Sequence, residues 1–134
     1  MDKVGDNINA GNASWTFSGE VVDSFDVHIK KSVPMYDQSH TLGSYISDHF
    51  ISIGGSVVDI GCSTGRLLKQ MIEHNTFAPN AYYKGVEIEK NFFKDYRQDM
   101  AKHRNLEFYK GDIREFDDYK NLSYVTSLFT LQFI

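Results

Sequence analysis

One cysteine, Cys62, stands in a chain of 134 residues, so an internal disulfide is excluded, which suits a reducing compartment. No apolar run approaches the ~20 residues of a membrane-spanning helix. The opening MDKVGDNINAGNAS is polar, so no secretory signal is read there. Runs of lysine and arginine are missing, as are acidic blocks, and the net charge is -4. Nothing in that balance argues for a nucleic-acid-coating surface or for direct nucleic-acid binding. The five histidines, His28, His40, His49, His74 and His103, have no metal-ligand spacing, and one cysteine does not complete a set. Internal repeats and low-complexity segments are also lacking. These absences predict a cytoplasmic protein that neither crosses a membrane nor carries a metal.

What is present is the composition of one ordered domain, with 41% hydrophobic, 24% charged and 14% aromatic residues. Residues 1–14, rich in Asn, Gly and Asp, read as a flexible lead-in, and 15–134 as the domain, anchored first by Trp15 and Phe17. A helical stripe of Val21, Val22, Phe25, Val27 and Ile29 marks 20–31. Pro34 after Ser32 suits an early helix position. Residues 35–51 read as the next helix, with Leu42, Tyr45, Ile46, His49 and Phe50 near one face and Gly54-Gly55 as its stop. Short apolar runs at 56–60, 82–88 and 106–109 read as buried strands, alternating with helices at 64–75 and 89–103. Residues 122–134, almost wholly apolar, read as a fourth strand running to the last residue. The alternation predicts an α/β fold, a mostly parallel sheet with helices on both faces.

The stretch VVDIGCSTGRLL, residues 57–68, carries the chemistry. An apolar strand ends in a glycine loop and an amphipathic helix follows, the layout of a nucleotide-type cofactor site. A phosphate loop needs Gly-Lys-Ser/Thr at its end, and here Arg66 follows Gly65. The dinucleotide fingerprint needs a glycine spacing that Asp59-x-Gly61-x-Ser63-x-Gly65 does not have. S-adenosylmethionine fits better. Gly61 lets the backbone come close to a ligand, Asp59 accepts hydrogen bonds from the loop or the ligand's ammonium, and the helix beginning near Thr64 offers free N–H groups. A ribose diol calls for a carboxylate at the end of the next strand, where Glu87 stands, 22 residues after Gly65. At the end of the third strand, Asp112 and Ile113 of GDIR supply an acceptor and an apolar wall for adenine. Cys62 reads as a small loop-packing residue, since no histidine motif accompanies it. Arg66 and Arg114, which would suit an acidic substrate, read as solvated charges.

With these residues, the chain resembles the class I S-adenosylmethionine-dependent methyltransferases, and within them the carboxy-S-adenosylmethionine synthases. The carrying stretches are WTFSGEVVDSFDVHIKKSVPMYDQ, VVDIGCSTG, GDIRE and LFTLQFI. The resemblance runs from Trp15 to Ile134. It implies a Rossmann-like fold with strand order 3-2-1-4. It also implies that Tyr36 lies over the cofactor, that Gly61, Cys62 and Ser63 line its methionine part, that Glu87 takes the ribose, and that Asp112 with Ile113 takes the adenine. The implied ligand is S-adenosyl-L-methionine, its carboxylated form or S-adenosyl-L-homocysteine. A prephenate-like acid would be the second substrate, and the product would serve wobble-uridine modification of transfer RNA. The family has Asn where Leu128 stands, and its members run on for roughly as much chain again, through further strands and an arginine that clamps the new carboxylate. The resemblance therefore covers a cofactor-binding part, a fold truncated after the fourth strand. That leaves the fourth strand as an apolar edge, from which a homo-oligomer is expected. Two other readings stand beside the synthase: a non-catalytic S-adenosylmethionine-binding module or subunit, and an ordinary methyltransferase acting on a small molecule or RNA.

Overall fold

Val57 and Val58 have no exposed surface, and the structure is layered outward from the strand that carries them. A computed structural model describes residues 10–11, 14–15, 25–94 and 102–134. In chain order its elements are β1 (Ala10–Gly11), β2 (Ser14–Trp15), α1 (Phe25–Ser32), α2 (Tyr36–Ser47), β3 (Ser56–Ile60), α3 (Arg66–His74), β4 (Tyr82–Glu87), β5 (Leu106–Lys110) and β6 (Leu122–Thr126). β1 and β2 pair antiparallel as a small ribbon. The main sheet is parallel throughout, in the order β5-β4-β3-β6. This is the third, second, first, fourth order that the family resemblance implied. A parallel sheet needs both faces covered. One side of β3 packs Val57 with Leu67, Leu68, Met71 and Tyr83, and the other packs Val58 with Val86 and Phe116.

Four sequence expectations give way to the structure, and each has a local cause. Helix α2 begins at Tyr36, because Met35 sits at φ 64, in the left-handed region that a helix cannot continue through. Pro34 therefore belongs to the turn before the helix. The buried face of α2 is Tyr36, His40, Gly43, Ser44 and Ser47, while Leu42 and Tyr45 are each 60% exposed. Small residues are used there because α2 packs close to its neighbours. A side chain begun at Gly43 would already stand 3.6 Å from Leu67, the Tyr124 hydroxyl donates to the Gly43 carbonyl at 3.0 Å, and Asn75 Nδ2 donates to Ser47 Oγ at 2.8 Å. Phe50 lies outside the helix, stacked on Tyr124 with ring centroids 5.8 Å apart.

Where the expected helix over 89–103 can be described at its start, the chain forms a 3-10 turn, Lys90–Lys94. Its continuation, 95–101, lies outside the described residues, and 102–105 form a turn. The expected strand over 122–134 ends at Thr126. Phe129 turns the chain at φ 59, and a 3-10 turn, Leu131–Phe133, follows. The helical stripe expected over 20–31 is α1 from Phe25 onward, and 20–24 lie outside the described residues, as do 1–9 of the expected lead-in. Among the described residues β6 has one neighbour, β3, and Leu122 and Val125 remain 39% and 43% exposed. No helix among the described residues is long and apolar enough to cross a membrane.

The reassigned face of α2 separates two substitutions. Leu68, with no exposed surface, loses about 2–5 kcal/mol of stability as Leu68→Ala. Leu42→Ala stays within about 0.5 kcal/mol of the wild type. Urea unfolding of both variants checks this, and a large loss at Leu42 would restore the face expected from sequence.

Candidate functional site

The parallel strands all end on the same side, and the loops there enclose a cavity of about 530 Å³. Its size falls in the range of small-ligand pockets, about 300–1,000 Å³. The loop after β3 is tied to β4 by its backbone. The N–H groups of Gly61 and Cys62 donate to the Val86 carbonyl at 2.8 and 3.1 Å. Gly61 itself is at φ 71, and a Cβ there would fall 2.3 Å from Thr130 Oγ1, so the 127–134 segment seats on the face that the missing side chain leaves open. Ser63 then takes φ 48, which directs its N–H to Glu87 Oε2 at 2.9 Å. The other oxygen of the same carboxylate, Oε1, accepts from the Glu89 N–H at 2.9 Å. One side chain at the end of β4 thus holds both the loop after β3 and the turn after β4.

Of the nine residues expected at a ligand site, Gly61, Ser63, Glu87, Asp112 and Ile113 line this cavity. The other four support its wall. Tyr36 is buried behind Phe129, with ring centroids 5.9 Å apart. Asp59 lies buried beneath the loop, where Thr126 Oγ1 donates to its Oδ1 at 2.7 Å. Cys62 is buried against Gly85, where a Cβ would meet its Sγ at 2.6 Å and Phe108 at the same distance. That is the packing role expected of it. Gly65, at φ 72, starts α3.

Several lining residues escaped the sequence reading. Phe25 and Ile29 of α1 and Phe129, Thr130 and Phe133 of the last segment all face the cavity. The signal for the last three was the LFTLQFI stretch, whose apolar character was assigned to a strand, while Phe25 and Ile29 were read as part of a helical stripe. Both arginines are ion-paired, and the Arg114 side chain is at the same time 75% exposed, as expected of a solvated charge. Arg66 Nη1 lies 2.6 Å from Asp37 Oδ1 and its guanidinium carbon is 5.9 Å from the Tyr36 ring centroid. Arg114 lines the cavity in contact with Asp112, whose carboxylate caps the 3-10 turn Ile113–Glu115.

The carboxylates differ in charge state by environment. Burial raises the Asp59 carboxyl to about 7, with the Glu87 charge adding to the rise and the Thr126 hydrogen bond opposing it. Burial also raises Glu87, against the backbone N–H groups of Glu89 and Ser63 that favour its ionised form. The Arg114 guanidinium holds Asp112 at about 2. Burial drives the Tyr36 hydroxyl up and the His40 imidazole down to about 4.

Residues 51–127 match the family described as a methyltransferase domain. A curated relative from Staphylococcus epidermidis, named carboxy-S-adenosyl-L-methionine synthase, is 35% identical over 128 residues, covering 95% of this chain and 54% of the relative. The chain spans about half the length of the curated relatives it matches, 54% and 49% for two of them. Among solved structures, a Methanococcus maripaludis protein assigned provisionally to the S-adenosyl-L-methionine-dependent methyltransferases aligns with TM-score 0.66 at 16% identity, over 94% of this chain and 57% of that one. Coclaurine N-methyltransferase, bound to N-methylheliamine and S-adenosylhomocysteine, aligns with TM-score 0.50 at 18% identity, over 67% of this chain and 25% of that one. At these identities the structures establish a shared Rossmann-like methyltransferase fold.

The buried Asp59 generates a pH prediction. Its folded value, about 7, lies above the unfolded value of about 4. Its contribution is therefore fully present below about pH 4, falls as pH rises, and is lost once pH has passed 7. Asp59→Asn keeps an acceptor for Thr126 and does not ionise. Urea midpoints measured from pH 4 to 8 should show the wild type losing stability relative to Asp59→Asn as pH rises. Parallel curves would place the Asp59 carboxyl in a more solvated setting.

Proposed function

The chain belongs to the methyltransferase-domain family, and on that premise we propose that it binds S-adenosyl-L-methionine in the cavity at the strand ends. The observation that carries the reading is the placement of two carboxylates on one cavity, Glu87 after β4 and Asp112 after β5, beside the glycine loop that follows β3. The Ser63 and Glu89 N–H groups donate to the two Glu87 oxygens and the Ile88 N–H also acts on the carboxylate, still fewer donors than its about four acceptor sites, so Glu87 retains capacity for a donor of a ribose diol. Asp112 supplies the acceptor for an exocyclic amine and Ile113 the apolar wall beside it. Gly61 and Ser63 line the cavity beside Glu87, where this reading seats the amino-acid end. The cofactor, when bound, supplies an electrophilic methyl group on a sulfonium. The chain's own residues bind it, orient it and exclude water, which is where most of the rate in such transfers arises.

For the whole protein we propose the carboxy-S-adenosyl-L-methionine synthase activity that the curated relatives are named for. A prephenate-like acid would be the carboxylate source, and the cytoplasmic product would feed transfer-RNA wobble-uridine modification. The carboxylate-clamping arginine expected for that step belongs to the half of the relatives that this chain does not span. This chain alone is accordingly expected to give little or no carboxylated cofactor from S-adenosylmethionine and prephenate. Efficient turnover by mass spectrometry would contradict that assignment of the clamp.

Calorimetry tests the binding itself. S-adenosylmethionine and S-adenosylhomocysteine should bind, and Glu87→Ala should weaken them by about 10- to 150-fold, the equivalent of a charge-assisted hydrogen bond of roughly 1.5–3 kcal/mol. Equal or tighter binding of NAD or ATP would remove the cofactor assignment.

A further inference from the structure

We propose that Arg114 is a specificity-determining latch on the base end of the cavity, competing with the ligand for the Asp112 carboxylate. The inference rests on the reading of this cavity as an adenosyl site. Its observation is the engagement of both Asp112 oxygens by Arg114. Oδ1 accepts from the Arg114 backbone N–H and from Arg114 Nε, each at 2.9 Å. Oδ2 accepts from Nε at 2.9 Å and from Nη2. Three donors of one residue two positions along the chain, the backbone N–H, the Nε–H shared between both oxygens and Nη2–H, thus occupy most of a group with about four acceptor sites. A ligand amine at Asp112 competes with these side-chain contacts of Arg114. The backbone bond that caps the 3-10 turn is independent of that exchange, so the carboxylate keeps its place while the guanidinium leaves.

The exchange is physically accessible. The Arg114 side chain is 75% exposed, whereas that of Asp112 is 19% exposed, so the released guanidinium passes into water and Asp112 stays at the cavity wall. Among the described lining residues Arg114 is the single lysine or arginine, beside the carboxylates of Glu87, Glu89 and Asp112. Asp112 supplies the selectivity, and the latch tempers it. A base edge that donates a hydrogen to Asp112 displaces the latch and recovers the acceptor. A base edge that presents an oxygen leaves the latch shut and gains nothing from the carboxylate.

Two ligands differing at that edge test the proposal, S-adenosylhomocysteine with its exocyclic amine and S-inosylhomocysteine with a carbonyl oxygen in its place. Calorimetry on the full chain compares wild type, Arg114→Met, Arg114→Lys and the double variant Asp112→Asn/Arg114→Met against Asp112→Asn. An exposed ion pair costs little to open, so Arg114→Met should raise the preference for the amine-bearing ligand by about twofold to fivefold, with Arg114→Lys between. In the Asp112→Asn background the same substitution should leave the preference unchanged. A preference that is unaltered in Arg114→Met overturns the latch, and one that falls shows Arg114 presenting Asp112 to the base instead of competing for it. Wild-type protein that binds neither ligand overturns the adenosyl reading on which the latch depends, a result distinct from either.

Discussion

A single carboxylate, that of Glu87, holds the site together. Its two oxygens accept the N–H groups of Ser63 and Glu89, which belong to the loops leaving two neighbouring strands. Ser63 reaches it only because its backbone is left-handed, a conformation disfavoured for a residue with a side chain and sustained here by the hydrogen bond it makes possible. The side chain is buried, so each bond is made in low dielectric, where leaving a partner unpaired is costly. The cavity floor is therefore shaped before any ligand arrives, which is how binding sites avoid the entropy of ordering a loop on association.

Around that anchor the walls are set by close approaches. Thr130 sits where a Cβ of Gly61 would be, and Cys62 and Phe108 sit where a Cβ of Gly85 would be. Tyr36 stacks between His40 and Phe129, and Arg66 ties the start of α3 to Asp37 at the start of α2. These contacts join α2, the glycine loop and the segment after β6 into one wall. The charge pattern is arranged by depth. Asp59, under the loop, is raised by burial, while Asp112, at the rim, is held ionised by Arg114.

Much of this was legible in the sequence, and the boundary of legibility is physical. The strand at Ser56–Ile60 matched its apolar run because both of its faces are covered. The glycine loop and the acids at two strand ends were readable because the alternation of apolar runs and turns marks where the strands end. The face of α2 was misread because its burial is carried by Tyr36, His40, Gly43, Ser44 and Ser47, mostly polar or small residues, while Leu42 and Tyr45 point outward. Hydropathy cannot report packing distance. The end of β6 was misread because Leu128, Phe129 and Phe133 are apolar as cavity and core lining, not as strand, and the left-handed turn at Phe129 has no glycine to mark it. The pairing of Arg114 with Asp112 was hidden in a two-residue spacing that predicts nothing until a 3-10 turn folds one onto the other.

The central claim is that the Glu87 carboxylate organises the loop as well as meeting the ligand. Amide hydrogen exchange by NMR, on ligand-free wild type and Glu87→Ala, addresses it without reference to activity. Ser63 and Glu89 should both be protected in the wild type and should exchange faster together in the variant, by on the order of tenfold or more for a lost charge-assisted hydrogen bond. Unchanged protection of Ser63 in Glu87→Ala would show that the glycine loop holds its shape without the carboxylate.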